Sequence, residues 1–97
     1  MARPGPSAPS VRSVPRVLFF AMAREAAGAR SWDAVAPDGT VPATVGAVLD
    51  AAVAALGPRL AEVLPHCRVW VDGEPTAPGD PVPSGAEVAV LPPVSGG

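Results

Sequence analysis

The residues with the most distinctive chemistry are the last seven, Leu91-Pro92-Pro93-Val94-Ser95-Gly96-Gly97. Because proline fixes φ and lacks an amide hydrogen, Pro92 and Pro93 cannot continue the hydrogen bonding of a sheet. The chain after them should leave the folded domain as a stiff, extended segment. Gly96 and Gly97 have no side chain to block a narrow channel, and an extended segment from Val94 onward reaches about 13 Å. The sequence predicts a flexible tail, 94–97, that places its carboxylate in another protein's active site. A frayed terminus is the alternative.

Composition predicts one small domain with a packed core behind this tail. The chain has 97 residues, of which 48% are hydrophobic, and this argues against a disordered protein. The first stretch, MARPGPSAPSVRS, is rich in proline, serine, glycine and alanine. It predicts a disordered N-terminal extension, 1–13, and leaves 14–93 as the folded domain.

Charge and cysteine usage exclude several classes of function. The net charge is −2, and all seven basic residues are arginines with no basic run, so a nucleic-acid partner is not expected. Cys67 is the only cysteine, which excludes an internal disulfide and a multi-cysteine metal site, and we expect no metal. No apolar run approaches the ~20 residues of a membrane span, and 1–13 lacks the apolar core of a signal peptide. We therefore expect a cytoplasmic protein without a membrane partner.

Hydrophobic patterning predicts four strands and one long helix. Residues 17–21 are apolar at consecutive positions, as in a strand covered on both faces, and 23–28 follow as a short helical turn. Asp72-Gly73 is a hairpin signal. The predicted strands are 17–21, 31–35, 68–71 and 87–91.

The long helix is predicted by its cap and by one apolar stripe. Thr44 is a good N-cap, Gly57-Pro58 should end the helix, and 59–64 adds a short helical piece. The stripe has helical spacing. Its residues are Val45, Val48, Leu49, Ala52, Val53 and Leu56.

The order of these elements predicts an α+β fold. A single long helix must lie on one face of one sheet, and the first and last strands, the most apolar, should be central neighbours. This arrangement is the ubiquitin-like β-grasp. We expect a mixed sheet of four to five strands with one main helix packed on one face.

Two motifs in the sequence carry a family resemblance. The first is Val17-Leu18-Phe19-Phe20-Ala21, followed by Arg24-Glu25 and Gly28; the second is the ending Gly85-Ala86-Glu87-Val88-Ala89-Val90-Leu91-Pro92-Pro93-Val94-Ser95-Gly96-Gly97. Over about residues 14–97 they resemble the MoaD/ThiS-type sulfur carriers, above all the small subunit of molybdopterin synthase. The ending Pro-Pro-Val-Ser-Gly-Gly is the most specific part.

The resemblance implies a sulfur carrier in molybdenum cofactor biosynthesis. A ubiquitin-activating-type adenylyltransferase would use ATP and magnesium to form an acyl-adenylate at Gly97, and a sulfur donor protein would convert it to a thiocarboxylate. The large subunit of molybdopterin synthase, in a heterotetramer, would receive Val94, Ser95 and Gly96 in its pocket. The sulfur would pass to cyclic pyranopterin monophosphate. The chain alone would be non-catalytic and would bind no cofactor.

The resemblance also implies a docking face at the root of the tail. For Phe20 and Leu91 ordinary core packing is equally open, whereas Arg24 beside an apolar patch would orient a partner. Trp70 would extend the patch because its two neighbouring valines should point to the core. The implied partner-binding residues are Phe20, Arg24, Trp70, Leu91, Pro92 and Pro93.

Three other functions remain open. The chain could carry sulfur for thiamin or cysteine biosynthesis, could be a ubiquitin-like modifier joined to target lysines through Gly97, or could be an interaction module with an inert tail. Two positions depart from the family pattern: Asp72 stands where asparagine is usual, and Val90-Leu91 where aromatics are frequent. His66 and Cys67 have no evident catalytic partner, so loop or packing roles are expected for them.

Overall fold

The computed structural model of the protein describes residues 14–93. The predicted extension, 1–13, and the predicted tail, 94–97, lie outside the described residues. The strands are β1 (Arg16–Phe19), β2 (Ser31–Asp33), β3 (Arg68–Val71), β4 (Glu74–Pro75) and β5 (Glu87–Leu91). The helices are α1 (Ala21–Ala27), α2 (Val45–Leu56) and α3 (Pro58–Val63), followed by a 3₁₀ turn, Leu64–His66.

The five strands form one mixed sheet in the order β2-β1-β5-β3-β4. β1 and β5 are parallel neighbours, and the other pairs are antiparallel. The prediction that the first and last strands are central neighbours is confirmed, as is the β-grasp fold. β5, which leads into the tail, is therefore the middle strand.

The core lies between this sheet and the helices. Because side chains alternate between the two faces of a strand, every second side chain of β1 and β5 points toward α2 and α3 and is buried there. This buried cluster includes Val17 and Phe19 of β1, Val88 and Val90 of β5, Val71 of β3, Val45, Val48 and Ala52 of α2, and Leu60 of α3.

The start and end of α2 are as predicted. The Thr44 hydroxyl oxygen accepts a hydrogen bond from the Ala47 N–H (3.2 Å). The N–H of Val45 donates to the Asp80 carbonyl (2.9 Å) and that of Gly46 to the Pro78 carbonyl (2.8 Å), so the loop before β5 satisfies the other free donors. At the far end, Gly57 has φ of 117°.

The predicted ends of two strands were wrong. β1 ends at Phe19 instead of residue 21, because Ala21 adopts a left-handed φ of 51° and begins α1. The Phe20 carbonyl then accepts a hydrogen bond from the Ala23 N–H (3.1 Å). β2 ends at Asp33 instead of residue 35, since the Val35 N–H turns back to the Asp33 carbonyl (2.8 Å). In both places a tight turn ends the strand.

Candidate functional site

The candidate site is the root of the C-terminal tail, where β5 ends. The Phe20 N–H donates to the Val90 carbonyl (3.1 Å), which extends the β1–β5 ladder beyond Phe19. β5 ends one residue later at Leu91, and Pro92 and Pro93 are both exposed. Because the prolines have no N–H to donate, the ladder cannot continue. The chain thus leaves from the middle strand of the sheet.

Phe20 lies outside the core. Its side chain is 42% exposed, and Phe20 and Val41 are the exposed large hydrophobic residues within 14–93. The neighbouring Phe19, on the helix side of the sheet, is only 2% exposed. The structure thus leaves Phe20 available for a partner, and its role in binding one stays a prediction.

Around Phe20 the sheet presents what we call the open face, the side opposite the helices. Strand register places Leu18 beside Ala89, and Ala89 beside Trp70. These three side chains and Leu91 are half-buried. The open face consists of Leu18, Phe20, Trp70, Ala89 and Leu91. It brings together the predicted Phe20, Trp70 and Leu91.

Arg24 lies one helical turn beyond Phe20. Its N–H approaches the Phe20 carbonyl (3.4 Å), and its carbonyl accepts a hydrogen bond from the N–H of Gly28, which ends α1 at φ of 74°. The side chain is exposed. Because α1 begins directly after β1, the backbone of Arg24 lies close to that of Phe20, and contact of the Arg24 side chain with a partner stays a prediction.

Strand register adds one residue that sequence reasoning missed. Arg68, the first residue of β3, stands directly opposite Leu91 at the tail root. It is exposed. Only the pairing of β3 with β5 reveals this proximity, because nothing near Arg68 in the sequence points to the tail.

The other predicted tail residues, Val94, Ser95, Gly96 and Gly97, lie outside the described residues. The open face is therefore the part of the candidate site that the structure describes. It supplies apolar contact surface, and the exposed Arg68 opposite Leu91 adds charge beside it.

Cys67 and His66 directly precede β3 and are not among the residues of the open face. The Cys67 thiol donates to the Val63 carbonyl (3.3 Å), and burial raises its pKa above the ordinary thiol value. His66 is exposed in the 3₁₀ turn. Across residues 14–93, no cluster of three or more His, Cys, Asp or Glu side chains is placed to hold a metal ion.

Asp38, whose carboxylate has a lowered pKa, is also not part of the open face. The Asp38 carboxylate accepts hydrogen bonds from the Thr40 N–H (3.0 Å) and hydroxyl (2.7 Å), and these lower its pKa. Both residues are in an exposed turn, so the shift reflects turn structure.

The sequence of this chain matches a known protein family. Residues 17–97 match the model of the ThiS family, a match that includes the open face, the two prolines and the terminal glycines. The chain belongs to the ThiS family. The resemblance inferred from the two sequence motifs is thereby confirmed.

Solved structures similar to this ThiS-family chain include two from Haloferax volcanii. A crystal structure of SAMP1 from Haloferax volcanii is 35% identical, with a TM-score of 0.65 over 86% of this chain and 98% of that one. A second, of H. volcanii small archaeal modifier protein 1, is 32% identical, with a TM-score of 0.66 over 84% and 99%.

A third structure supports the fold alone. It is a protein from Pyrococcus furiosus provisionally named molybdopterin converting factor, subunit 1, and is 21% identical with a TM-score of 0.63 over 82% of this chain and 97% of that one. No curated protein sequence matches the chain. None of the helices in 14–93 has the length and hydropathy needed to cross a bilayer.

Proposed function

We propose that this ThiS-family protein is a cytoplasmic sulfur carrier for molybdenum cofactor biosynthesis, with Gly97 as the site that carries sulfur. The observation that carries the proposal is that the chain leaves the middle strand of the sheet at Pro92 and Pro93, next to the exposed Phe20. The family match supports it because it runs to Gly97. A tail that starts beside a docking surface is close to any partner bound there and would be able to enter its active site.

The proposed chemistry begins with activation of Gly97, because a carboxylate is anionic and has no good leaving group. An adenylyltransferase would let the carboxylate attack the α-phosphate of ATP, with magnesium, and pyrophosphate would leave. The terminal sulfur of a persulfide donor would displace AMP, and a thiol would cleave the resulting S–S bond. Gly97 would then end in a thiocarboxylate, the donor leaving as a disulfide. Covalent activation divides one difficult transfer into easier steps.

Delivery of the sulfur would take place in the large subunit of molybdopterin synthase. That subunit would bind the open face, and Val94, Ser95 and Gly96 would pass through its pocket. The thiocarboxylate sulfur would go to cyclic pyranopterin monophosphate, two carriers being consumed for each dithiolene. Small side chains near Gly97 suit a narrow passage. The carrier would contribute position and the activated sulfur, and the large subunit the acid–base chemistry.

A protein modifier is the second candidate. The observation in its favour is the 35% identity to SAMP1, since the second H. volcanii structure is named small archaeal modifier protein 1. In that function the adenylated Gly97 would be joined to lysine amines of target proteins. A carrier for thiamin or cysteine biosynthesis would use the same thiocarboxylate with another acceptor.

Intact mass measurement tests the proposal. The purified protein is incubated with ATP, magnesium, a sulfur donor and its host's activating enzyme. A gain equal to the exchange of one oxygen for sulfur, located at Gly97, is expected. No gain, where the same enzyme loads another carrier, would contradict the sulfur-carrier function.

The loaded protein then separates the candidate pathways. Incubation with the host's large synthase subunit and cyclic pyranopterin monophosphate should yield the dithiolene product. Conjugates linked through Gly97 to lysines, without that product, would favour the modifier.

A further inference from the structure

Strand register places Arg68 on one side of the tail root, and the turn into α1 places the backbone of Arg24 near Phe20 on the other side. On the β3 side, Arg68 stands opposite Leu91, and opposed residues in an antiparallel pair share a face and lie about 5 Å apart. On the β1 side, Phe20 is hydrogen-bonded to Val90, and Arg24 follows one turn later. Neighbouring strands are about 4.8 Å apart, so the backbones of Phe20 and Arg68 are separated by about 10 Å across β5.

Neither Arg24 nor Arg68 forms an ion pair with another residue of 14–93. Within residues 14–93, the one ion pair joins Arg16 Nε and Asp33 Oδ1 (3.6 Å), at the opposite end of β1. Asp50 lines the same groove as Arg68, yet the two form no ion pair. The chain as a whole carries a net charge of −2. The tail root is thus bordered by cations on a protein that is otherwise slightly acidic.

We propose that Arg68 is a second cationic docking contact, which acts with Arg24 to select partner proteins bearing carboxylates on both sides of the entrance that receives the tail. A guanidinium fork binds a carboxylate through two parallel hydrogen bonds, so two such contacts would fix the orientation of the partner as well as attract it. The apolar open face between them supplies the contact area. The inference rests on the proposed function, because it concerns the docking event that precedes activation of Gly97.

The experiment measures how fast Gly97 is loaded by the host's adenylyltransferase with ATP, magnesium and a sulfur donor. The variants are Arg68→Gln and Arg68→Glu. The matched control is Arg59→Gln, since Arg59 is an exposed arginine of α3, in the helix layer. Thermal unfolding of each variant confirms that the fold is intact.

Charge reversal should act on docking and not on the chemical step. We expect Arg68→Glu to lower kcat/KM about tenfold at low salt and Arg68→Gln about threefold, with kcat unchanged, because a rim charge acts mainly on association. The deficit should shrink at high salt as charges are screened. Arg59→Gln should match the wild type, and prolonged incubation should bring every variant to the same loaded fraction.

The possible failures are distinguishable. If Arg68→Glu is loaded as fast as Arg59→Gln at both salt concentrations, the docking role of Arg68 is overturned while the sulfur-carrier function stands. If the wild type itself is never loaded, the proposed function fails and the inference falls with it.

Discussion

The amide of Phe20 and the carbonyl of Val90 are joined by a hydrogen bond of 3.1 Å. This contact holds the exposed aromatic ring next to the last residues of β5. At Ala21 the chain then turns through a left-handed φ of 51° into α1. The surface beside the tail and the strand that leads into the tail are therefore joined by backbone hydrogen bonding.

The first prediction concerns the terminal residue. Adding one alanine after Gly97 should abolish loading, because the reacting carboxylate would no longer be where the activating enzyme holds it. Gly97→Ala should reduce loading through crowding. Intact mass after incubation with the activating enzyme measures both, and Ser84→Ala, in a turn exposed to solvent, is the control. Normal loading of the extended chain would contradict the mechanism.

The second prediction separates binding from stability at two adjacent aromatics. Phe20→Ala should slow loading by about tenfold or more, as expected for an aromatic anchor, and should change the free energy of unfolding by less than about 1 kcal/mol. Phe19→Ala, its matched control in the core, should cost about 3–5 kcal/mol. Urea denaturation and loading kinetics give the two readouts. A large stability loss for Phe20→Ala with unchanged loading would show that Phe20 is a packing residue.

The third prediction concerns Asp72, where the family usually has asparagine. Asp72 adopts φ of 50° in the β3–β4 hairpin, and its Oδ1 accepts a hydrogen bond from the Glu87 N–H (2.9 Å). Asp72→Asn keeps an oxygen acceptor and a residue that tolerates this φ, so stability should be nearly unchanged. Asp72→Ala should lower the free energy of unfolding by about 1–2 kcal/mol. Equal urea midpoints for the two variants would disprove this role.

The fourth prediction concerns the reactivity of Cys67. Since burial raises the pKa of this thiol, less thiolate is present at a given pH in the folded protein than in the unfolded chain. A disulfide reagent should therefore label the folded protein more slowly, with its pH–rate profile displaced to higher pH, and denaturant should remove the difference. The folded form holds the thiol proton more tightly, so the stability from this group is lost as pH rises above the unfolded pKa. Identical profiles with and without denaturant would refute it.

Much of the fold could be predicted because its signals are local. Thr44 caps α2 through the backbone three residues ahead, and Asp72-Gly73 forms a hairpin because those residue types tolerate positive φ. The alternation of buried and open positions in β1 follows from the two-residue period of a strand. Signals of this kind depend on neighbours in the chain and can be read without a partner strand.

The end of β1 could not be predicted from local sequence patterns. The apolar run through Ala21 predicts a longer strand, yet Ala21 adopts a backbone conformation that is unfavourable for alanine itself. The packing of α1 against β1, β5 and α3 outweighs that preference. The strand ends where the helix must begin to cover the core.

For the candidate site, the order of amino acids is enough to reveal the terminal motif, the family resemblance and the set of predicted contact residues. That Phe20 is exposed while Phe19 is buried, and that Arg68 stands opposite Leu91, follows from the folded sheet. The physical reason is register. Which residues face each other across a sheet depends on pairing between segments far apart in the chain, and a shift of one residue would turn every side chain of a strand to the other face.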